Sequence, residues 1–316
     1  MEHIIDTFTN GLKNLHKNPV IFWPYILFTI LVSIASLIWA GALVIFLFIP
    51  ILEGGLIDWT SAAISSAAFL LFSMLLTAYV SAGTIGMTKN AISTGITKFG
   101  DCFTYGNKYF VRVFIASILV ALLQLIALIF WTPMIYVFNT SGYTFSMFIE
   151  ILFSTPEALI SLLTSLAIWG IIGFLLNLIY SIIISVLFYF VLYAIVIDNC
   201  GIVASFKKSY EMLRQNFWKV LIFIIAVYVI VVGITSIISS VSSILSVFSP
   251  ISAGSLALSI LISLLQLFVS LILAVVSIYL TVATFVWETR FYMVVNGHEI
   301  AEIETKEKED LLTNNF

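Results

Sequence analysis

"DNCGIVASFKKSYEMLRQNFWKV", residues 198–220, interrupts a chain that is otherwise almost entirely apolar. Within it, Val203, Phe206, Tyr210, Leu213 and Phe217 follow one another at steps of 3, 4, 3 and 4, the spacing of one face of an α-helix. Lys207, Lys208, Glu211 and Arg214 lie off that stripe. The stretch reads as an amphipathic helix, with Asn216-Phe217-Trp218 turning the chain into the next apolar run. That run includes "VLIFIIAVYVIVVGI", residues 220–234, which carries no charge.

The 316 residues are 62% hydrophobic and 9% charged, with a mean hydropathy of +1.17. Soluble domains have roughly 45–50% apolar and about 25% charged residues, so a water-soluble class is excluded. Runs of about 20 apolar residues cross a hydrocarbon core of roughly 30 Å, and helices are suited to it because each satisfies its own backbone hydrogen bonds. Six such runs lie at 20–50, 61–88, 109–137, 165–197, 217–247 and 260–294. The region 158–197 has no clear break; it is expected to hold one span plus an interfacial helix, with a kinked pair as the alternative. Residues 1–19 are polar and amphipathic, unlike a cleavable signal peptide.

Three connectors, at 54–60, 138–157 and 248–255, are marked by helix breakers such as Gly54-Gly55, Pro156 and Pro250. They carry Glu53, Asp58, Glu150 and Glu157 at or near them, and no basic residue. All 13 basic residues fall on the other side, from Lys13 to Lys308. The positive-inside rule reads this as a multi-pass protein of the cell membrane with both termini cytoplasmic.

The helical stripe recurs. Ile96, Phe99, Phe103, Gly106 and Phe110 precede the third run, and Ile5, Phe8, Leu12, Leu15 and Pro19 precede the first. Phe8, Phe99 and Phe206 align, and Arg112 aligns with Lys219. The expected unit is an amphipathic cytoplasmic helix followed by two spans, repeated three times. Such helices either lie in the membrane interface or pack against the bundle.

The pattern of Asp198, Gly201, Ser205, Lys207, Lys208, Ser209, Tyr210, Asn216, Phe217 and Trp218 resembles the signature of a family of six-helix prokaryotic membrane proteins of unknown function. "GTIGMTKNAISTG", residues 83–95, resembles the matching segment of archaeal members. That family is similar to the membrane domain attached to some glycerophosphodiester phosphodiesterases. The resemblance implies an architecture and no activity, and the chain shows no His/Glu/Asp set of the kind such a phosphodiesterase uses.

Candidates for chemistry are few. His3, His16 and His298 sit in polar segments with no second ligand at helical spacing. Cys102 and Cys200 form no CxxC or Cys/His cluster. There is no Gly-rich phosphate loop and no Ser/His/Asp set. Glu288 and Arg290 lie at the cytoplasmic end of the sixth run and read as interface residues. Of the neutral polar groups, Gln124 and Asn177 lie near mid-bilayer; they either line a path for a small solute or hydrogen-bond between helices, and the second reading is preferred. Gln266 is the third. The serine-rich stripe of Gly233, Ser236, Ser240 and Ser243 suits close helix packing. Asn139-Thr140-Ser141 matches a glycosylation sequon.

The expected fold is therefore an all-α polytopic membrane protein: one six-helix domain over 1–297, with repeats at about 1–90, 91–198 and 199–297, and an acidic cytoplasmic tail over 298–316. The expected function is non-catalytic, organising membrane or partner proteins through the cytoplasmic helices. The alternative is a permease for a small or amphiphilic molecule. No cofactor and no nucleic acid is expected; the partners are membrane lipids and an unidentified membrane or cytoplasmic protein. The residues singled out are Phe8, Phe99, Phe206, Tyr210, Phe217 and Trp218 for interface or packing, with Gln124 and Asn177 for a cavity.

Overall fold

The structure, a computed structural model, describes residues 2–49, 58–133, 156–247 and 256–300. Gly54-Gly55, the Asn139 sequon, Pro250 and the tail from residue 301 onward lie outside the described residues. The described residues hold nine α-helices and no strand: α1 (Glu2–Lys17), α2 (Phe22–Leu43), α3 (Trp59–Thr94), α4 (Phe99–Leu125), α5 (Pro156–Leu187), α6 (Val191–Ile197), α7 (Ile202–Gln215), α8 (Phe217–Val247) and α9 (Leu256–Val295). A π-helical turn extends α2 over Val44–Phe48, and a 3₁₀ turn extends α4 over Ile126–Trp131.

Six helical stretches are long and apolar enough to cross a membrane: Pro19–Leu47, Trp59–Thr94, Phe99–Trp131, Ile168–Ile197, Phe217–Val241 and Ile260–Val295. They match the six apolar runs of the sequence, and the chain has the build of a multi-pass membrane protein. The expected single stretch over 165–197 is instead broken at 188–190, between α5 and α6.

The termini of these helices follow local chemistry. The Asp58 side chain accepts the Ser61 N–H at 3.0 Å and caps α3, and the Ser61 hydroxyl together with that N–H holds its carboxyl below the usual range. Gly95 closes α3 at φ +80°, in the left-handed region where glycine has no Cβ penalty. Asp101 accepts the Lys98 N–H at 3.0 Å and the Thr97 hydroxyl at 3.0 Å, which starts α4.

The buried core is concentrated at the end of the bundle that carries the basic residues. It includes Leu15 of α1, Ile85 and Met87 of α3, Val113 of α4, Ile195 of α6, Phe223 of α8 and Tyr292 of α9. Toward the other end, Ile34, Leu70, Ile172, Ile237 and Leu264 are exposed. Lipid tails are as apolar as these side chains, so the outer halves need no protein neighbour. The helix α9 packs against α1, α2, α3 and α8. Between α3 and α4 the approach is close: a Cβ on Gly86 would lie 2.0 Å from Tyr105 Cγ, and one on Gly83 would lie 2.5 Å from Cys102 Sγ. Small residues at a helix interface allow this.

Two of the three expected amphipathic segments are separate helices, α1 and α7. Asn18 and Asn216, which are aligned by the same offset as Phe8 and Phe206, break the backbone at φ −126° and φ −128°. The aligned residue in the middle segment is Tyr109, and there α4 runs unbroken from Phe99 to Leu125. The middle segment is thus the first turns of a span and no separate helix.

The packed faces also differ from the apolar stripes. In α7 the buried residues are Ser205, Ser209, Met212 and Leu213, while Val203 of the stripe is 84% exposed and Tyr210 and Phe217 are exposed too. In α1 the buried residues are Thr7, Gly11, Asn14 and Leu15, at the aligned positions, and Ile5 is exposed. In α4, Cys102, Gly106 and Tyr109 are buried while Ile96 and Phe103 are exposed. Of the five stripe positions, only the fourth is buried throughout, as Leu15, Gly106 and Leu213. Apolar groups lose nothing in lipid, so small and polar residues choose the protein-facing side.

Candidate functional site

The loop at 198–201 gathers side chains from four other elements. The Asp198 side chain is 8% exposed; its Oδ2 pairs with Lys208 Nζ of α7 at 2.7 Å, and its Oδ1 lies 2.8 Å from His298 Nε2. The Tyr292 hydroxyl of α9 donates to the same carboxylate. Lys89 Nζ of α3 donates to the Ile197 carbonyl at 2.7 Å, and Arg112 Nη1 of α4 donates to Asn199 Oδ1 at 3.0 Å. Asn199 stands at φ +54°, a conformation that asparagine tolerates better than most residues. Burial and the neighbouring Asp198 push the Cys200 thiol up from its ordinary value. Asp198 and Lys208 of the sequence motif are therefore centred in one knot joining α3, α4, α6, α7 and α9, while Lys207 lies outside it and pairs with Glu211.

The break between α5 and α6 is held by α7. The Ser209 hydroxyl donates to the Leu187 carbonyl at 2.9 Å and accepts the Phe190 N–H at 3.3 Å. One side chain thus satisfies two backbone groups that a continuous helix would pair internally. Phe190 fills the space behind it, stacked on Phe291 at 5.8 Å between ring centroids.

A domain of unknown function, DUF7847, matches residues 3–292. The chain belongs to the DUF7847 family. No curated protein and no solved structure matches it. The DUF7847 match covers the knot apart from His298, the broken helix, five spans and nearly all of the sixth. The match carries no support for the likeness to phosphodiesterase membrane domains or to archaeal members.

Beneath the knot, Glu288 of α9 is 9% exposed and accepts hydrogen bonds from the hydroxyls of Tyr189 and Tyr193. The expectation that Glu288 faces the interface is corrected: it turns inward, where two donors stabilise a group that lipid would not. Sequence reading passed over this pair. The available signal was spacing, since Tyr189 and Tyr193, and Glu288 and Tyr292, are each one helical turn apart in otherwise apolar runs. A cleft of about 440 Å³ between α8 and α9 reaches Tyr189 and is lined also by Tyr228, Thr235, Ser277, Thr281 and Thr284.

The structure places Gln124 and Asn177 on one polar seam between α4 and α5, away from that cleft. Gln124 donates to Ser185 Oγ at 3.2 Å, Tyr180 donates to the Leu123 carbonyl at 2.8 Å, and Ser181 donates to Asn177 Oδ1 at 3.2 Å. The aromatic candidates do not converge. Phe8 packs edge-on against Trp287 at 4.9 Å, and Trp287 Nε1 donates to the Phe8 carbonyl at 3.2 Å. Phe206 packs against Phe188 at 4.9 Å, and Phe99 against Phe103 at 5.2 Å. Tyr210, Phe217 and Trp218 are exposed, Trp218 at 71%. Among the described residues, no three of His, Cys, Asp and Glu come together as a metal site.

Proposed function

We propose that this chain is a non-catalytic integral membrane protein of the cell membrane that organises lipids or partner proteins through helices at the cytoplasmic face. The observation that carries this reading is the division of α7. Ser205, Ser209 and Met212 face the bundle, while Val203, Tyr210, Phe217 and Trp218 face outward beside the exposed Lys207. An outward apolar strip flanked by cations suits the boundary between acyl chains and headgroups. The buried acids Asp198 and Glu288 already have donors at their oxygens, a structural use. The one-sided distribution of Lys and Arg supports cytoplasmic termini. The shared burial positions of α1, α7 and the start of α4 support a threefold unit whose middle copy has fused its helix to the span.

The test is a probe at Val203→Cys in a variant lacking Cys102 and Cys200, reconstituted into vesicles. An environment-sensitive fluorophore there should be quenched by lipids labelled near the headgroup and shielded from aqueous iodide. Full iodide access without lipid quenching would overturn the reading.

The second reading, a permease for a small or amphiphilic molecule, is favoured by the cleft between α8 and α9. Its hydroxyl lining includes the half-buried Tyr189, which donates to the buried Glu288, and ionisable groups within spans often mark a transport path.

A further inference from the structure

A groove of about 360 Å³ runs between α4 and α7, lined by Leu119, Leu122 and Ile126 on one side and by Ile202, Val203 and Phe206 on the other. Its wall on α4 continues toward the basic end of the bundle. Lys108 and Arg112 are one turn apart, and Arg112 and Leu119 are two turns apart, on the same helix face. At 1.5 Å per residue the cation at 112 stands about 10 Å above the first leucine of the groove.

Lys108 and Arg112 are exposed, and neither forms an ion pair with a described residue. Arg112 is steadied by Asn199, and Lys108 Nζ lies 5.0 Å over the Tyr109 ring. The nearby Asp198 carboxylate is already paired with Lys208 and His298. The local balance is positive, in line with an apolar channel that leads away from it toward the membrane interior.

We infer that this face binds an anionic phospholipid, with an acyl chain along the groove and the phosphate at Arg112 and Lys108. The order of charge and apolar surface matches a lipid standing in one leaflet. A free anion would use the cations and leave the groove empty, and a choline lipid would bring a second cation to a positive site. Arg112 offers planar paired donors to phosphate. The inference deepens the interfacial reading of α7 and rests on it, since α7 forms half the groove.

The experiment is native mass spectrometry of the full chain in detergent, titrated with phosphatidylglycerol against phosphatidylcholine. Wild type should retain the anionic lipid by about thirtyfold in preference, as two cations near a headgroup provide. The Lys108→Gln, Arg112→Gln double variant should lose the preference, and Lys13→Gln should keep it. Leu122→Trp, which fills the groove, should weaken both lipids, and excess inorganic phosphate should not displace the bound lipid. Lys108→Gln alone, at an exposed position, should lose part of the preference if the double variant fails to fold. Equal retention of both lipids by wild type, a preference unmoved by these substitutions, or full displacement by phosphate would overturn the assignment. The Val203 depth measurement is independent: shallow quenching without lipid preference rejects only the headgroup site, and preference without quenching rejects only the interfacial helix.

Discussion

The hydroxyl of Ser209 accepts the amide hydrogen of Phe190 at 3.3 Å while donating to the Leu187 carbonyl. Both backbone groups sit at a buried break, so removing the hydroxyl leaves two polar groups without partners. Unsatisfied buried groups cost about 1–3 kcal/mol each. Ser209→Ala should therefore lower the thermal transition of the detergent-solubilised protein. Ser205→Ala is the control: Ser205 is equally buried, but its hydroxyl bonds only to Ile202 in its own helix. An equal or smaller loss at Ser209 would reject the bridging role.

Glu288 is the acceptor for Tyr189 and Tyr193. Glu288→Leu should destabilise by about 2–4 kcal/mol, because two buried hydroxyls lose their acceptor. Adding Tyr189→Phe and Tyr193→Phe to that variant should restore part of the loss, as removing all partners of a buried polar set is milder than removing one. Denaturant or thermal unfolding of the wild type and the two variants reads this directly. A further loss on adding the phenylalanines would show that the tyrosines have other essential partners.

Gly86 is pressed against Tyr105, and Gly100 has open space where a Cβ would go. Gly86→Ala should overpack the α3 and α4 interface and cost about 1–3 kcal/mol. Gly100→Ala should be neutral or stabilising by up to about 1 kcal/mol, since alanine has the better helix propensity. Comparing the unfolding midpoints of the pair checks the close approach.

Phe206→Asp should reduce the monodisperse yield far more than Asn177→Leu. Phe206 packs on Phe188 and lines the groove, and a buried large apolar side chain contributes roughly 1.5–3 kcal/mol. Asn177 contributes one acceptor, to Ser181 on its own helix, and leucine suits the apolar surroundings. A larger loss at Asn177 would move weight to the polar seam and to transport.

Cysteines at Asp58 and at Lys207 should react with an impermeant reagent from opposite faces of the membrane. These positions mark the acidic connector side and the basic side of the bundle. Labelling of both from one face would reject six crossings with the termini together.

The spans were legible because length and apolarity alone decide whether a helix crosses a bilayer. The faces of the helices were not. The stripe through Val203, Phe206, Tyr210 and Phe217 leaves open whether that face packs against the bundle or lies in the membrane interface. In a membrane, Ser205 and Ser209 gain more from protein contact than valine does. The same ambiguity hid Glu288, because periodicity places residues on faces but does not say which face has hydrogen-bond donors waiting. The break at 188–190 leaves no proline or glycine in the sequence; two of its backbone groups are bonded by a serine on another helix.

The contact of α1 with α9 has a bearing on the order of biosynthesis. Gly11 leaves no room for a Cβ beside Trp287, whose indole N–H reaches the Phe8 carbonyl across 279 positions of sequence. Asn18 meanwhile donates to the Gly95 carbonyl and accepts the Thr97 N–H. The helix that leaves the ribosome ahead of all six spans finds one anchor only after the second is inserted, and the other only after the sixth. A helix made ahead of the spans it docks against must be accommodated while they are synthesised, on the membrane surface or by a chaperone.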